Sequence, residues 1–255
     1  MSAFAIRNWL PRVLRVPLWG DRDKMGLTIN YHDPCWQEWQ KAYSEFYTAN
    51  QREGIGKTVN DAGYRAMSFI DLTGKRVLEI GAGDIRHIKY WRGSPKEYLL
   101  LDVNREMIEK AEQRLSQKGV TSRSIFLERQ QNLPLEDGSV DVVVSFYSLE
   151  HLYPLDAYLE EMRRVLVPGG TVIGAIPAEG GLAWGGGRMI TSRRWLKKNT
   201  TINPDKIICW EHPNFADDII AALDGQFQRQ QLHWWPMRLP LLDINLIIQF
   251  LYEKR

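Results

Sequence analysis

The chain has 255 residues, of which 44% are hydrophobic and 25% charged, with a formal net charge of +2. That length allows one well-buried domain with a small added lobe, and so even a charge balance argues against nucleic acid as the main partner. No apolar run approaches the roughly 18 residues needed to cross a bilayer, and Cys35 and Cys209 are too far apart for a disulfide framework or a metal site, which points to a reducing, cytoplasmic compartment.

In chain order, "MSAFAIRNWLPRVLRVPLWG" interleaves Arg7, Arg12 and Arg15 with Trp9, Leu10, Val13, Leu14 and Trp19. Pro11 and Pro17 interrupt it too often for a signal-peptide core. It reads either as a basic arm packed on the domain or as a peripheral membrane segment over residues 1–20. The prolines disfavour the helix that interfacial binding prefers, so the arm is the expectation. A helix is expected from Asp33-Pro34, its aromatic face formed by Trp36, Trp39, Tyr43, Phe46, Tyr47 and Asn50, more as core than as a ligand cage. Val59, Ala62, Ala66, Met67 and Ile70 mark a second helix, ending at Thr73-Gly74.

From Arg76 strands and helices alternate. Strands are expected over Val77–Ile80, Tyr98–Val103, Ser124–Leu127, Val140–Phe146 and Thr171–Ile176, and helices over Arg86–Arg92, Arg105–Lys118 and Leu155–Leu166. This predicts a mostly parallel, doubly wound Rossmann-like α/β sheet. Residues 178–212 are rich in Gly, Arg, Lys and Trp, show no clean period and read as an inserted substrate-side lobe, the alternative being a solvated loop. A helix from Asn214 and two strands, Gln228–Trp235 and Ile244–Glu253, close the sheet edge as an antiparallel pair. The expected division is an N-terminal arm and helical cap over 1–74, and a domain over 75–255 that carries the inserted lobe 178–212.

The first strand ends in Glu79 and the turn Gly81-Ala82-Gly83, followed by Asp84. The second ends in Asp102-Val103. Ligands of open α/β sheets lie beyond such strand ends, and a carboxylate at Asp102 can accept hydrogen bonds from ribose hydroxyls. A dinucleotide would need a third glycine near Ile85 and a helix start free of negative charge. Asp84 suits a cationic nucleoside instead.

With "VLEIGAGD", "LLLDVN", "NLPLEDGSVDVVVSFYSLEHL" and "RRVLVPGGTVIGAIP" in order, the chain resembles the class I S-adenosylmethionine-dependent methyltransferases, in their small-molecule branch. The resemblance implies a seven-stranded sheet with an antiparallel last strand and S-adenosyl-L-methionine as cofactor. It places Glu79, Gly81 and Gly83 along the methionine portion and Asp102 on the ribose, with Ser145, Phe146 and Tyr147 lining the site. The family's acidic residue near adenine is replaced by Arg129, which cannot accept from the adenine amine, leaving Gln130, Gln131 or the backbone.

Methyl transfer to a hydroxyl gains from a positioned base, for which His151 and His212 are candidates. Tyr31, Trp184, Arg188, Arg193 and Arg194 are candidate substrate contacts that would clamp and stack on an anionic or sugar-containing acceptor. The expected function is O-methylation of a small or carbohydrate-like acceptor, phosphorylated or linked to a lipid or nucleotide. The rivals are a nicotinamide-dependent oxidoreductase and a non-catalytic nucleoside-binding protein of the same fold.

Overall fold

The computed structural model describes residues 5–47, 54–126 and 132–255. Seven strands, β1 (Arg76–Ile80), β2 (Glu97–Leu101), β3 (Ser122–Ile125), β4 (Val140–Phe146), β5 (Leu166–Pro177), β6 (Gln228–Trp235) and β7 (Ile247–Glu253), form one sheet in the order β3-β2-β1-β4-β5-β7-β6. The first five pair in parallel; β7 runs antiparallel to both β5 and β6. The last strand therefore inserts beside β5 and leaves β6 at the edge. Strand order reverses between β1 and β4, where open sheets of this kind leave a crevice.

The central strands are apolar on both faces because helices cover both. Leu78, Val143 and Val172 pack on one side with Leu159, Met162 and Ile219. Val77, Val142 and Ile173 pack on the other with Ile108, Ala111 and Met67. Each such side chain contributes about 1.5–3 kcal/mol on burial. Helix α5 (Arg105–Gln117) buries the expected face, Ile108, Ala111 and Leu115, and the Asn104 side chain caps it by accepting from the Met107 N–H at 3.2 Å. Helices α6 (Leu155–Val165) and α10 (Ala216–Gln226) cover the opposite side.

Two expectations change. The helix predicted over Arg86–Arg92 is a short 3-10 stretch, Arg86–Tyr90, entered through Ile85 in the left-handed region at φ 44°. That entry turns the chain too tightly for a regular helix start. The N-terminal prolines do not prevent helix formation, since Pro11 caps α1 (Arg12–Trp19) and Pro17 lies within it. The segment 178–212, in which no clean period is visible, folds into α7 (Leu182–Ile190), α8 (Ser192–Asn199) and α9 (Pro204–Glu211). Its period was hidden because these short helices pack partly on the N-terminal segment rather than on the sheet. Trp36 and Trp39 of α3 (Pro34–Tyr47) share a buried cluster with Leu196, Ile207 and Trp210. Short α2 (Arg22–Met25) joins them through a hydrogen bond from Trp210 Nε1 to the Met25 carbonyl at 3.0 Å. Helix α4 (Gly54–Tyr64) packs on β5 and β7.

Among the described residues, no helix is long and apolar enough to cross a membrane.

Candidate active site

Above the carboxyl ends of β1, β2 and β4 lies a cavity of about 1080 Å³, roofed by the N-terminal segment and the inserted helices. Its floor is set by the glycine turn. The N–H groups of Gly81 and Ala82 both donate to the Leu101 carbonyl, at 2.8 and 3.2 Å, which folds the turn over the end of β2. Gly83 N–H then donates to Asp102 Oδ2 at 2.9 Å, while Asn104 N–H donates to Oδ1 at 2.8 Å. Asp102 is thus aimed by two backbone groups and retains accepting capacity on each oxygen.

The two glycines differ in role. A β-carbon on Gly81 would meet Ser148 Cβ at 2.5 Å, so Gly81 allows close packing. Gly83, at φ 52°, has nothing within 4 Å of where its β-carbon would be. It leaves an open ledge beside Asp102 and the exposed Val103, which fits the ribose and base of a nucleoside.

Glu79 is buried beneath the turn, where Oε2 accepts from Tyr98 Oη at 2.7 Å and Oε1 lies 2.8 Å from His87 Nε2. Trp91 Nε1 donates to His87 Nδ1 at 2.9 Å, and an indole N–H only donates, so the His87 proton resides on Nε2. Glu79 therefore braces the turn through His87 and Tyr98 while bordering the cavity. Asp84 corrects the expectation of a free charge suited to a cation. Arg86 Nε at 2.9 Å and Arg114 Nη2 at 3.3 Å neutralise its carboxylate.

At the roofed end sits a cluster of ionisable groups. Glu179 is fully buried; its carboxylate accepts from Arg188 Nη1 at 2.7 Å and Trp184 Nε1 at 2.9 Å, and His212 Nδ1 stands 3.1 Å away. Burial would raise the Glu179 pKa, but the Arg188 charge and His212 outweigh it and hold it at about 2. Burial, with the Arg188 charge, pushes His212 down to about 4, so it is neutral at pH 7. His151 Nδ1 donates to the Glu211 carbonyl and lies 3.3 Å from Glu211 Oε2. His151 stands at the exposed rim; partial desolvation there works against its charge, yet the hydrogen bond to Glu211 and the charges of Glu150 and Glu211 lift it to about 9.

Glu150, a residue that sequence reasoning passed over, also borders the cavity. It is buried, its Oε2 has no hydrogen-bond partner among the described residues, and desolvation pushes its pKa up to about 7. Its only signal in the sequence was its place beside His151.

The candidates thus separate. Glu79, Gly81, Ala82, Gly83, Asp84, Asp102, Val103, Phe146, Tyr147, Tyr31, Trp184, Arg188, His151 and His212 all border the one cavity. Ser145 does not: it is buried beneath, its Oγ 2.5 Å from Ser148 Oγ, which in turn donates to the Ile80 carbonyl. The arginine clamp does not form. Arg193 pairs with Asp205 at 2.6 Å, Arg194 is exposed on the outside of the lobe, and Arg188 is committed to Glu179. Arg193 and Arg194 are adjacent on α8 and diverge by about 100°, so both cannot face inward. Arg129, Gln130 and Gln131 lie outside the described residues. Trp36, Trp39, Tyr43 and Phe46, expected mainly as core, border the cavity as well as packing.

Residues 78–174 match the methyltransferase domain family. Over these residues the chain is similar to the S-adenosylmethionine-dependent methyltransferases. It is similar to a ubiquinone/menaquinone biosynthesis C-methyltransferase, UbiE, of Burkholderia mallei, at 31% identity over 57% of this chain and 56% of that one. It is also 37% identical, over 42% of this chain and 41% of the relative, to a phthiotriol/phenolphthiotriol dimycocerosates methyltransferase of Mycobacterium ulcerans. The chain thus spans about half the length, or less, of the curated relatives it matches. A SAM dependent methyltransferase from Aquifex aeolicus shares the fold with TM-score 0.50 at 15% identity, over 86% of this chain and 98% of that one.

Proposed function

We propose that this protein transfers a methyl group from S-adenosylmethionine to an uncharged, largely apolar acceptor, with Glu150 accepting the proton that the acceptor loses. The observation that carries this reading is the unpaired Glu150 Oε2 in the cavity wall. A carboxyl with a pKa of about 7 is half ionised at neutral pH and matched to proton removal.

The residues present fit the cofactor. Asp102 would take the ribose hydroxyls, Val103 would lie against the base, and the ledge at Gly83 would let the backbone approach. When bound, the cofactor supplies an electrophilic methyl group. This chain holds the acceptor between aromatic walls, takes its proton on Glu150 Oε2 and fixes the roof above it. His151, already protonated at neutral pH, cannot serve as base there. Its positive charge, oriented by Glu211, steadies the ionised Glu150. His212 is neutral but weakly basic, and it is turned toward Glu179.

Sequence alone had favoured a hydroxyl of an anionic or sugar-containing acceptor. The ion pairs of Arg188 and Arg193 remove the cations on which that acceptor depended. Aromatic walls at Trp36, Trp39, Tyr43, Phe46 and Trp184 support a ring or a chain instead. The relatives' printed names, a quinone-biosynthesis C-methyltransferase and a dimycocerosates methyltransferase, support the same class.

Transfer of labelled methyl from S-adenosylmethionine to a panel of hydroquinones, phenols and sugar phosphates tests this. Turnover confined to the sugar phosphates would sink the acceptor assignment. Calorimetry showing no cofactor binding would sink the reading altogether.

A further inference from the structure

We propose that the outer face of the roof, formed by α1, α7 and α8 with the adjoining residues 5–11, docks on an anionic membrane surface.

Residues 5–20 and 182–200 contain no aspartate or glutamate, yet they hold Arg7, Arg12, Arg15, Arg188, Arg193, Arg194, Lys197 and Lys198. Four of these are neutralised by acids from elsewhere: Arg7 by Asp217, Arg12 by Asp21, Arg188 by Glu179 and Arg193 by Asp205. The other four, Arg15, Arg194, Lys197 and Lys198, are exposed and form no ion pair among the described residues. In a chain with a net charge of only +2, this is a marked local excess.

Apolar side chains stand among these charges. Trp9 is 78% exposed, Val13 75%, Leu14 51%, Met189 48% and Ile190 73%. Helices α1, α7 and α8 are tied to one another. Trp19 Nε1 donates to the Gly181 carbonyl at 3.3 Å, and Arg193 Nη2 donates to the Val16 carbonyl at 3.3 Å. Gly185 lets α7 approach α1 so closely that a β-carbon there would lie 3.1 Å from Leu18 Cβ. A shallow hollow on these helices is lined only by Met189, Ile190, Arg193, Arg194, Lys197 and Lys198. Exposed apolar residues and unpaired cations on these adjoining segments match the chemistry of the boundary between lipid headgroups and acyl chains. A second copy of the chain is a poor occupant, because a twofold contact would set these cations against themselves.

Cosedimentation of the full chain with vesicles tests the proposal. Vesicles of phosphatidylcholine mixed with phosphatidylglycerol should pellet the protein, pure phosphatidylcholine far less, and salt should release it. At about fivefold per basic residue, replacing Arg15, Lys197 and Lys198 with glutamate should weaken binding at least about a hundredfold. Trp9→Ser with Val13→Ser should weaken it with the charges intact. All five positions are exposed, so melting curves should match wild type. Absence of binding to the mixed vesicles at low salt would overturn the proposal. So would binding that both variants leave untouched, or a dimer in sedimentation equilibrium that the apolar variant dissociates.

Discussion

Glu179 Oε2 and Arg188 Nη2 meet at 2.6 Å, the carboxylate with no exposure and the guanidinium with very little. The pair joins the end of β5 to α7 and so fixes the inserted lobe over the cavity. It also limits what the roofed end of the cavity can bind, because the arginine that the inserted lobe brings to it is already neutralised. Replacing one partner leaves the other buried and unpaired, which costs about 3–5 kcal/mol. Glu179→Gln should therefore lower the urea midpoint and the Tm markedly.

The same residue governs acid sensitivity. Glu179 is held at about 2 in the fold, against about 4.3 for a free glutamate. The unfolded chain takes up that proton first, so the stabilisation is complete above about pH 4.5 and is lost as pH falls toward 2. His212, lowered to about 4, loses stability as pH falls from about 6.5. Glu150, raised to about 7, gains over much the same interval, so the two oppose each other. Denaturation midpoints measured against pH should show wild type falling steeply below about 4.5, and Glu179→Gln lower throughout but flatter there.

Turnover should follow a bell-shaped pH profile. Ionised Glu150 is required, so the rate rises through about pH 7; protonated His151 is required, so it falls through about pH 9. The two groups interact, and the limbs belong to the pair. Glu150→Gln should cut kcat by about a hundredfold or more and abolish the acidic limb. An unchanged acidic limb in that variant would assign the proton to another group.

Cofactor affinity should depend on Asp102 and on the space at Gly83. Asp102→Asn removes the charge from the ribose contact, a loss of about 1.5–3 kcal/mol, or roughly ten- to a hundredfold in Kd by calorimetry. Gly83→Ala fills the ledge and should weaken binding more than it lowers Tm.

Gly63→Ala should act first on stability. A β-carbon there would meet Tyr147 Oη at 2.0 Å and Ala175 Cβ at 2.9 Å, forcing α4 off the sheet. Such overpacking costs about 1–3 kcal/mol, visible as a lower Tm; because Tyr147 borders the cavity, cofactor affinity should fall with it.

The strands of the central sheet, the buried face of α5 and the glycine turn with Asp102 were legible from residue order, because each depends on a local period or on a short run of residue types. The masking of Asp84 by Arg114, the ties from Trp39 to Glu211 and from Arg22 to the His212 carbonyl, and the closure of the lobe by Glu179 and Arg188 were not. Residue order alone determined a Rossmann-like α/β sheet and a glycine turn with Asp102 at its strand ends. Only the tertiary structure decided which charges remain free, because the acid that neutralises an arginine is chosen by packing. Asp217, which neutralises Arg7, stands far away in the chain and adjacent in space.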